Sequence, residues 1–140
     1  MESTRRKILA IGSGSLAFAS MAGLPTMASL ADEAMAAFVD DAEIVEGGVE
    51  LTAPEIAEDG YTVPIQIAAP GAVMVALFAE ENPVATIATF KFGKLNPSHS
   101  ASTRIRLSGT QNIVAIAKMP DGTFRRTSAS VQVTIGGCGA

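Results

Sequence analysis

The sequence predicts an all-β protein: an immunoglobulin-like antiparallel β-sandwich, preceded by a short helix and followed by a flexible C-terminal arm. Three observations lead to this fold class. Short apolar runs of strand length alternate with turn-forming dipeptides, an apolar stripe with helical spacing precedes the first run, and a glycine-rich end follows the last. The 140 residues amount to at most one ordinary domain.

The first part of the chain has the composition of an export signal, and we expect residues 1–31 to be removed. A basic start is followed by an uncharged, moderately apolar stretch, residues 8–24, and then by small residues. The preferred cleavage site follows Ala31, and cleavage after Ala28 is the alternative. A transmembrane anchor is the weaker interpretation, because three glycines and a proline interrupt the run before it reaches a comfortable spanning length.

Paired arginines stand directly before this apolar run. The stretch STRRKILAIG is similar to the twin-arginine signal, which exports folded proteins in bacteria, although Ile8 stands where that pattern usually has Phe. An ordinary secretion signal that happens to begin with two arginines is the alternative. We therefore predict a periplasmic protein whose export depends on Arg5 and Arg6.

The remaining residues, 32–140, form an acidic chain. They carry seven basic and thirteen acidic side chains, which gives a net charge of −6. This charge disfavours nucleic acids and anionic membranes as partners of the processed protein. A chain of this length buries enough surface to fold without disulfides.

The processed chain begins with a short helical segment, residues 32–48. Apolar side chains three and four residues apart predict a packing helix over Asp32–Glu46, which Gly47 and Gly48 end. The stripe consists of Met35, Phe38, Val39, Ala42 and Val45.

Residues 49–135 read as the sandwich itself. Turn formers such as Pro70-Gly71, Asn82-Pro83 and Asp121-Gly122 separate the extended runs. Six or seven short strands at this spacing are typical of an immunoglobulin-like sandwich, although the tryptophan and cysteine pair of antibody domains are absent. The predicted strands are 61–69, 72–80, 85–92, 102–107, 112–119 and 127–135.

Few catalytic chemistries fit this composition. One histidine and one cysteine are too few to make a zinc or copper site, and we expect no metal and no cofactor. His99 lies in the polar loop NPSHSAS and is expected to be a solvated imidazole. Its pairing with Cys138 as a nucleophile is disfavoured, because a flexible arm does not hold a preorganised base. Two arginine pairs, 104/106 and 125/126, are either a solvated strand face or a docking edge.

The single cysteine lies in the arm, residues 136–140, directly after the last predicted strand. Three glycines (Gly136, Gly137 and Gly139) and the terminal Ala140 surround Cys138, so the thiol stands on a thin and conformationally free backbone. This placement predicts a covalent carrier whose arm enters other proteins. A disulfide-linked homodimer of a structural sandwich, an incidental tail cysteine, and a thiol enzyme with His99 as its base are the alternatives.

Several stretches of the chain resemble the SoxY family, the sulfur-carrier subunit of the bacterial thiosulfate-oxidising Sox system. The C-terminal Gly-Gly-Cys-Gly is the most specific of them; the family commonly closes Gly-Gly-Cys-Gly-Gly, and Ala140 takes the last place here. The others are the twin-arginine start, LTAPEIAEDGYTVPI, LFAEENPVATIATFKFG and STRIRLSGTQNIVAIAKMPDG.

The resemblance implies a carrier subunit that is not itself an enzyme. It implies a heterodimer with a SoxZ-like subunit, and Cys138 as the covalent attachment point for sulfur intermediates derived from thiosulfate. The cofactors would belong to transient partners: a haem c enzyme like SoxAX, a manganese hydrolase like SoxB, and a sulfane dehydrogenase like SoxCD. The residues by themselves do not select sulfur over another thiol-borne group.

Overall fold

The computed structural model of the chain describes Gly23 and residues 27–136. One helix is followed by nine strands in this part of the chain. The elements are α1 (Met27–Val39), β1 (Ile44–Glu46), β2 (Glu50–Thr52), β3 (Ile56–Asp59), β4 (Val63–Ala68), β5 (Met74–Ala79), β6 (Thr86–Lys91), β7 (Ser100–Ile105), β8 (Gln111–Lys118) and β9 (Phe124–Ile135).

The strands form two sheets, and the predicted β-sandwich with a preceding helix is confirmed. The larger sheet has the order β1-β9-β8-β5-β6, and the smaller has the order β2-β4-β7. The long strands pair antiparallel, as in β8 with β9 and β4 with β7. Two short strands, β1 and β3, run parallel to the two halves of β9 and make its outer edge.

The core lies between the two sheets. Alternating residues of β4, Val63, Ile65 and Ile67, face the apolar side chains of the larger sheet. The opposite residues of β4, such as Pro64 and Gln66, are exposed. This alternation with a period of two is what a strand with one solvated face requires.

The helix α1 covers the outer face of the larger sheet and forms a second core. Phe38 makes edge-to-face contacts with Phe78 and Phe124, at centroid distances of 5.9 and 5.6 Å. Met35 and Val39 are buried in the same cluster. Because the helix lies on β5 and β8, both faces of these strands are buried, which explains why their sequences are apolar without alternation.

The observed helix differs from the predicted one at both ends. It begins at Met27, and Ala31 is fully buried against the sheet. It ends at Val39, because Asp40 and Asp41 take left-handed backbone angles (φ 52° and 59°) that a helix does not accommodate. The prediction that the helix continues to Glu46 is therefore wrong; the last residues of that segment form β1.

The six predicted strands are all present, with ends shifted by a few residues. The three shortest strands, β1 to β3, were not individually predicted, because each has only three or four residues. In the described part of the chain, no helix is long and apolar enough to span a lipid bilayer.

Candidate functional site

The root of the predicted carrier arm is the C-terminal end of β9. The ladder between β8 and β9 ends at the pair Gln111–Val131, so the last four residues of β9 need other partners. On one side β3 pairs with them in parallel, and the Gly60 N–H donates to the Ile135 carbonyl oxygen (2.7 Å). On the other side the Val133 N–H donates to Thr110 Oγ1 (2.9 Å). The strand is thus held on one edge up to Ile135 and on the other edge up to Val133.

Gly136 follows immediately and lies against the loop between β7 and β8. A Cβ atom at this position would overlap the carbonyl oxygen of Ser108 and would lie 3.2 Å from its carbonyl carbon. Backbone atoms do not yield as a flexible side chain does, so a side chain at position 136 requires the strand end or the loop to move. The first glycine of the arm is therefore required by close approach.

The loop that meets Gly136 rests on two buried polar side chains, Asn82 and Gln111, which are 7% and 5% exposed. Asn82 Oδ1 accepts the Ser108 N–H, and Gln111 Nε2 donates to the same oxygen; both distances are 2.9 Å. The prediction from sequence treated Asn82 only as part of a turn and did not single out Gln111. A glutamine that opens an otherwise apolar strand was the available signal.

Most of the predicted site residues lie outside the described residues. These are the thiol itself, the rest of the arm, and the two arginines of the export signal: Cys138, Gly137, Gly139, Ala140, Arg5 and Arg6. Their predicted roles stay predictions. What the structure gives is the platform from which the arm departs.

His99 lies at the other end of the sandwich from this platform. It immediately precedes β7, whereas Ser108 and Gly136 lie beyond the last residue of that strand, Ile105. Six residues of strand separate His99 from Ile105 by about 20 Å. The three residues from Ile135 to Cys138 reach about 11 Å at most. The described part of the chain therefore places His99 far from the root of the arm.

The imidazole of His99 is also less solvated than predicted. Its ring stacks on Phe92, with centroids 5.4 Å apart and planes 9° apart. Its Nδ1 atom is buried, and among the described residues it has no hydrogen-bond partner. This ring packs against the protein, and the geometry gives it no acid–base partner.

The two arginine pairs do not form one basic edge. Arg104 is exposed on the smaller sheet, whereas Arg125 and Arg126 lie on β9 of the larger sheet. Arg126 Nη1 is 3.8 Å from Glu46 Oε1, and the Arg125 side chain covers Gly48. A surface pair of this kind contributes about 1 kcal/mol at most.

A groove beside α1 lies away from the root of the arm and includes the carboxylates of Asp32 and Asp41. It has a volume of about 450 Å³ and lies at the C-terminal end of the helix, with Met35 and Ile116 among its apolar residues. Arg126 also lines it, which places it near the start of β9. Within the described residues, no three His, Cys, Asp or Glu side chains come close enough together to bind a metal ion.

A comparison of the chain with models of protein families establishes the family to which it belongs. The model of the family "Sulfur oxidation protein SoxY" matches residues 35–138, which is most of the chain and ends at the cysteine. The chain belongs to the SoxY family. The resemblance of its C-terminal and strand segments to SoxY is thereby confirmed.

Solved structures agree with the family. The sulfur carrier protein SoxY from Chlorobium limicola f. thiosulfatophilum is 34% identical, with a TM-score of 0.66, and the match covers 77% of this chain and 99% of that one. This SoxY structure supports a carrier role in sulfur oxidation for the family to which the chain belongs. A comparison with curated proteins finds no match.

More distant structures share the fold alone. A superoxide reductase (neelaredoxin) from Ignicoccus hospitalis is 14% identical with a TM-score of 0.55, and the match covers 61% of this chain and 78% of that one. A superoxide reductase from Thermotoga maritima is also 14% identical, with a TM-score of 0.51 and coverage of 69% and 89%. At this level of identity, the chemistry of these reductases does not transfer to the chain described here.

Proposed function

We propose that this protein is a periplasmic sulfur carrier of thiosulfate oxidation, which holds sulfur intermediates covalently on Cys138 and presents them to partner enzymes. The observation that carries the proposal is the extent of the family match, whose last residue is Cys138. A separate match, at 34% identity, relates the chain to a sulfur carrier of known structure.

The geometry around Gly136 supports a carrier in particular. A thiol that acts inside its own domain needs a base and a pocket beside it, and the sole histidine of the chain lies out of reach at the far end of the sandwich. The chain instead places the thiol three residues beyond a fixed strand end. That arrangement suits a sulfur atom that is modified in the active sites of other proteins.

The carried chemistry begins with an oxidative coupling. The thiol of Cys138 loses its proton and forms a disulfide bond with the outer sulfur of thiosulfate, and the two electrons released pass to a haem c enzyme like SoxAX. A manganese hydrolase like SoxB then adds water to the sulfone sulfur. Sulfate leaves with release of two protons, and a persulfide stays on Cys138. A sulfane dehydrogenase like SoxCD would oxidise that sulfur further.

The carrier is proposed to work as a heterodimer with a SoxZ-like subunit. Its export through the twin-arginine signal with Arg5 and Arg6 would place the dimer in the periplasm, and folded export would allow a partner without its own signal to cross with it. The cofactors of the pathway belong to the enzymes in this scheme, and the carrier contributes the thiol, the arm and the docking surface.

Replacement of the thiol tests the proposal. Cys138→Ser should abolish thiosulfate-dependent electron flow in the host, while the circular dichroism and melting temperature of the purified variant stay those of the parent. His99→Ala is the matched control and should retain electron flow, because His99 lies outside the reach of the arm. Undiminished electron flow in Cys138→Ser contradicts the proposal. A covalent homodimer that dominates non-reducing gels of cell extracts would favour the structural sandwich instead.

A further inference from the structure

In the part of the chain that the structure describes, the buried polar side chains are those of Asn82 and Gln111, and both lie at the root of the arm. Their amide groups bond to each other, from Gln111 Nε2 to Asn82 Oδ1 (2.9 Å). Buried polar groups are costly unless they are paired, so a pair at this place, in a core that is otherwise apolar, calls for a physical explanation.

The two amides form hydrogen bonds to three residues of the loop between β7 and β8. Asn82 Nδ2 donates to the Arg106 carbonyl oxygen (2.8 Å), and Asn82 Oδ1 accepts the Ser108 N–H (2.9 Å). Gln111 Nε2 donates to the Gly109 carbonyl oxygen (3.1 Å). Every residue from 106 to 109 except Leu107, which is itself fully buried, is thus bonded to one of the two amides.

The preceding loop, between β5 and β6, is tied to the same network. Gln111 Oε1 accepts the Glu81 N–H (2.9 Å), and the Ser108 hydroxyl donates to the Glu81 carbonyl oxygen (2.9 Å). Loss of one member leaves the others unpaired in a buried site, so the network holds its geometry as a unit.

The loop that the two amides hold contacts Gly136, the first residue of the arm. Ser108 presents its carbonyl group to Gly136, and Thr110, two residues further, binds the N–H of Val133 in β9. Because the β8 ladder has ended at Val131, this loop supplies the edge that β8 no longer provides. The loop therefore contacts β9 on the side of β8 and lies directly against Gly136, the first residue of the arm.

We propose that Asn82 and Gln111 are positioning residues for the carrier arm. They hold the loop at Ser108 as a shoulder against Gly136, so that the arm starts from a fixed point at the end of the sandwich and Cys138, two residues further along the chain, stays within about 7 Å of that point. The use of this fixed starting point in cargo transfer rests on the proposed carrier function. The mechanical part of the proposal concerns the folded chain alone.

A double spin label measures how firmly this starting point is held. Cys138 is the only cysteine, so one nitroxide attaches to the natural residue and a second to Ser128→Cys, an exposed position in the middle of β9. The width of the distance distribution between the labels reports the spread of positions that the label on the arm samples relative to β9. We expect this width to increase roughly twofold in Asn82→Ala and in Gln111→Ala, because the shoulder then opens locally.

A control of the same residue type is available in another loop. Asn96 Oδ1 accepts the Gly93 N–H (2.8 Å) in the loop between β6 and β7, beside the end of the sandwich that holds His99. Asn96→Ala should leave the distribution as in the parent. Ser108→Ala serves if a buried-amide variant folds poorly, since it removes the hydroxyl bonds to Glu81 and Gln111 and leaves both amides in place. It should broaden the distribution to a smaller degree.

Two reactivity measurements separate positioning from a general structural role. Labelling of Cys138 by a small aromatic disulfide should be unchanged in Asn82→Ala, because the thiol itself is untouched. Thiosulfate-dependent cytochrome reduction in a periplasmic extract should fall in Asn82→Ala and not in Asn96→Ala. An unchanged distance distribution in Asn82→Ala and Gln111→Ala overturns the positioning role. A broadened distribution with full cytochrome reduction overturns its use in transfer, and activity of Cys138→Ser overturns the carrier function instead.

Discussion

At the scale of single residues, Gly136 is the position where the fold and the arm constrain each other. Its missing side chain lets the backbone pass the Ser108 carbonyl group, and the hydrogen bond from Gly60 to Ile135 holds the residue just before it. The thiol is two residues away, so a small displacement here changes where the sulfur is presented.

The first prediction concerns that close approach. Gly136→Ala should push the strand end away from the loop and weaken the Gly60–Ile135 hydrogen bond, a loss of about 1 kcal/mol. Amide exchange of Gly60 should accelerate about fivefold. Gly109→Ala is the matched control in the same region, since a Cβ there meets nothing within 4 Å. Equal exchange of Gly60 in both variants would contradict the account of Gly136.

The sequence pattern indicates where the arm lies, but it does not indicate how the first residue of the arm is held. Cys138 and the glycines around it are adjacent in sequence, so their pattern is readable without a structure. The network of Asn82 and Gln111 joins residues 29 positions apart, and no local pattern announces such a pair. Its partners are largely backbone atoms of a loop, whose course depends on the two sheets that flank it.

At the scale of elements, α1 determines the character of the strands below it. Its residues Met35, Phe38 and Val39 lie on a face that the spacing of the sequence predicted correctly. The end of the helix was not predictable from that spacing, because the apolar stripe continues through Val45 while the backbone turns left-handed at Asp40. The short strand β1 exists only because β9 offers it an edge, which is a tertiary effect.

The second prediction tests the packing of this helix. Phe38→Ala removes two edge-to-face aromatic contacts and part of the second core, and should lower the free energy of unfolding by about 2 kcal/mol. Denaturant unfolding measures the change. Glu33→Ala, at an exposed position of the same helix, should change it by less than about 0.5 kcal/mol. A loss of similar size in both variants would mean that the helix is not packed through Phe38.

The third prediction concerns the turn between β8 and β9. The Thr123 hydroxyl and N–H donate to Asp121 Oδ1 (2.7 and 2.9 Å), and these bonds, the hydroxyl first, lower the pKa of the carboxyl group below 3.8. A lowered pKa in the folded state stabilises the fold at pH values above 3.8, and this contribution is lost as the pH falls through the lowered pKa. An NMR titration of Asp121 should give a midpoint below 3.8 that rises in Thr123→Val; an unchanged midpoint in that variant would contradict the assigned cause.

At the scale of the whole molecule, the sandwich separates its two ends. One end carries the root of the arm, and the other carries the loop with His99, so the arm begins far from the single imidazole of the chain. The general plan was predictable from strand periodicity and turn formers, which depend on neighbours in sequence. The separation of the two ends depends on how the strands are ordered in the sheets, and only the structure gives that order.

The fourth prediction concerns export. Replacement of Arg5 and Arg6 by lysine should stop the protein from reaching the periplasm and should deplete a SoxZ-like partner there as well, because a folded complex is proposed to cross as a unit. Immunoblots of periplasmic and cytoplasmic fractions measure both proteins. A partner that reaches the periplasm undiminished in this variant would contradict joint export.

Intact-mass spectrometry of the protein purified from thiosulfate-grown cells tests the central claim most directly. The carrier account predicts species heavier by a sulfane sulfur or by a thiosulfonate group, bound at Cys138 and released by a reductant, and it predicts their absence from the Cys138→Ser variant. A protein that carries only the free thiol throughout growth on thiosulfate, or the same adducts on the Cys138→Ser variant, would contradict it.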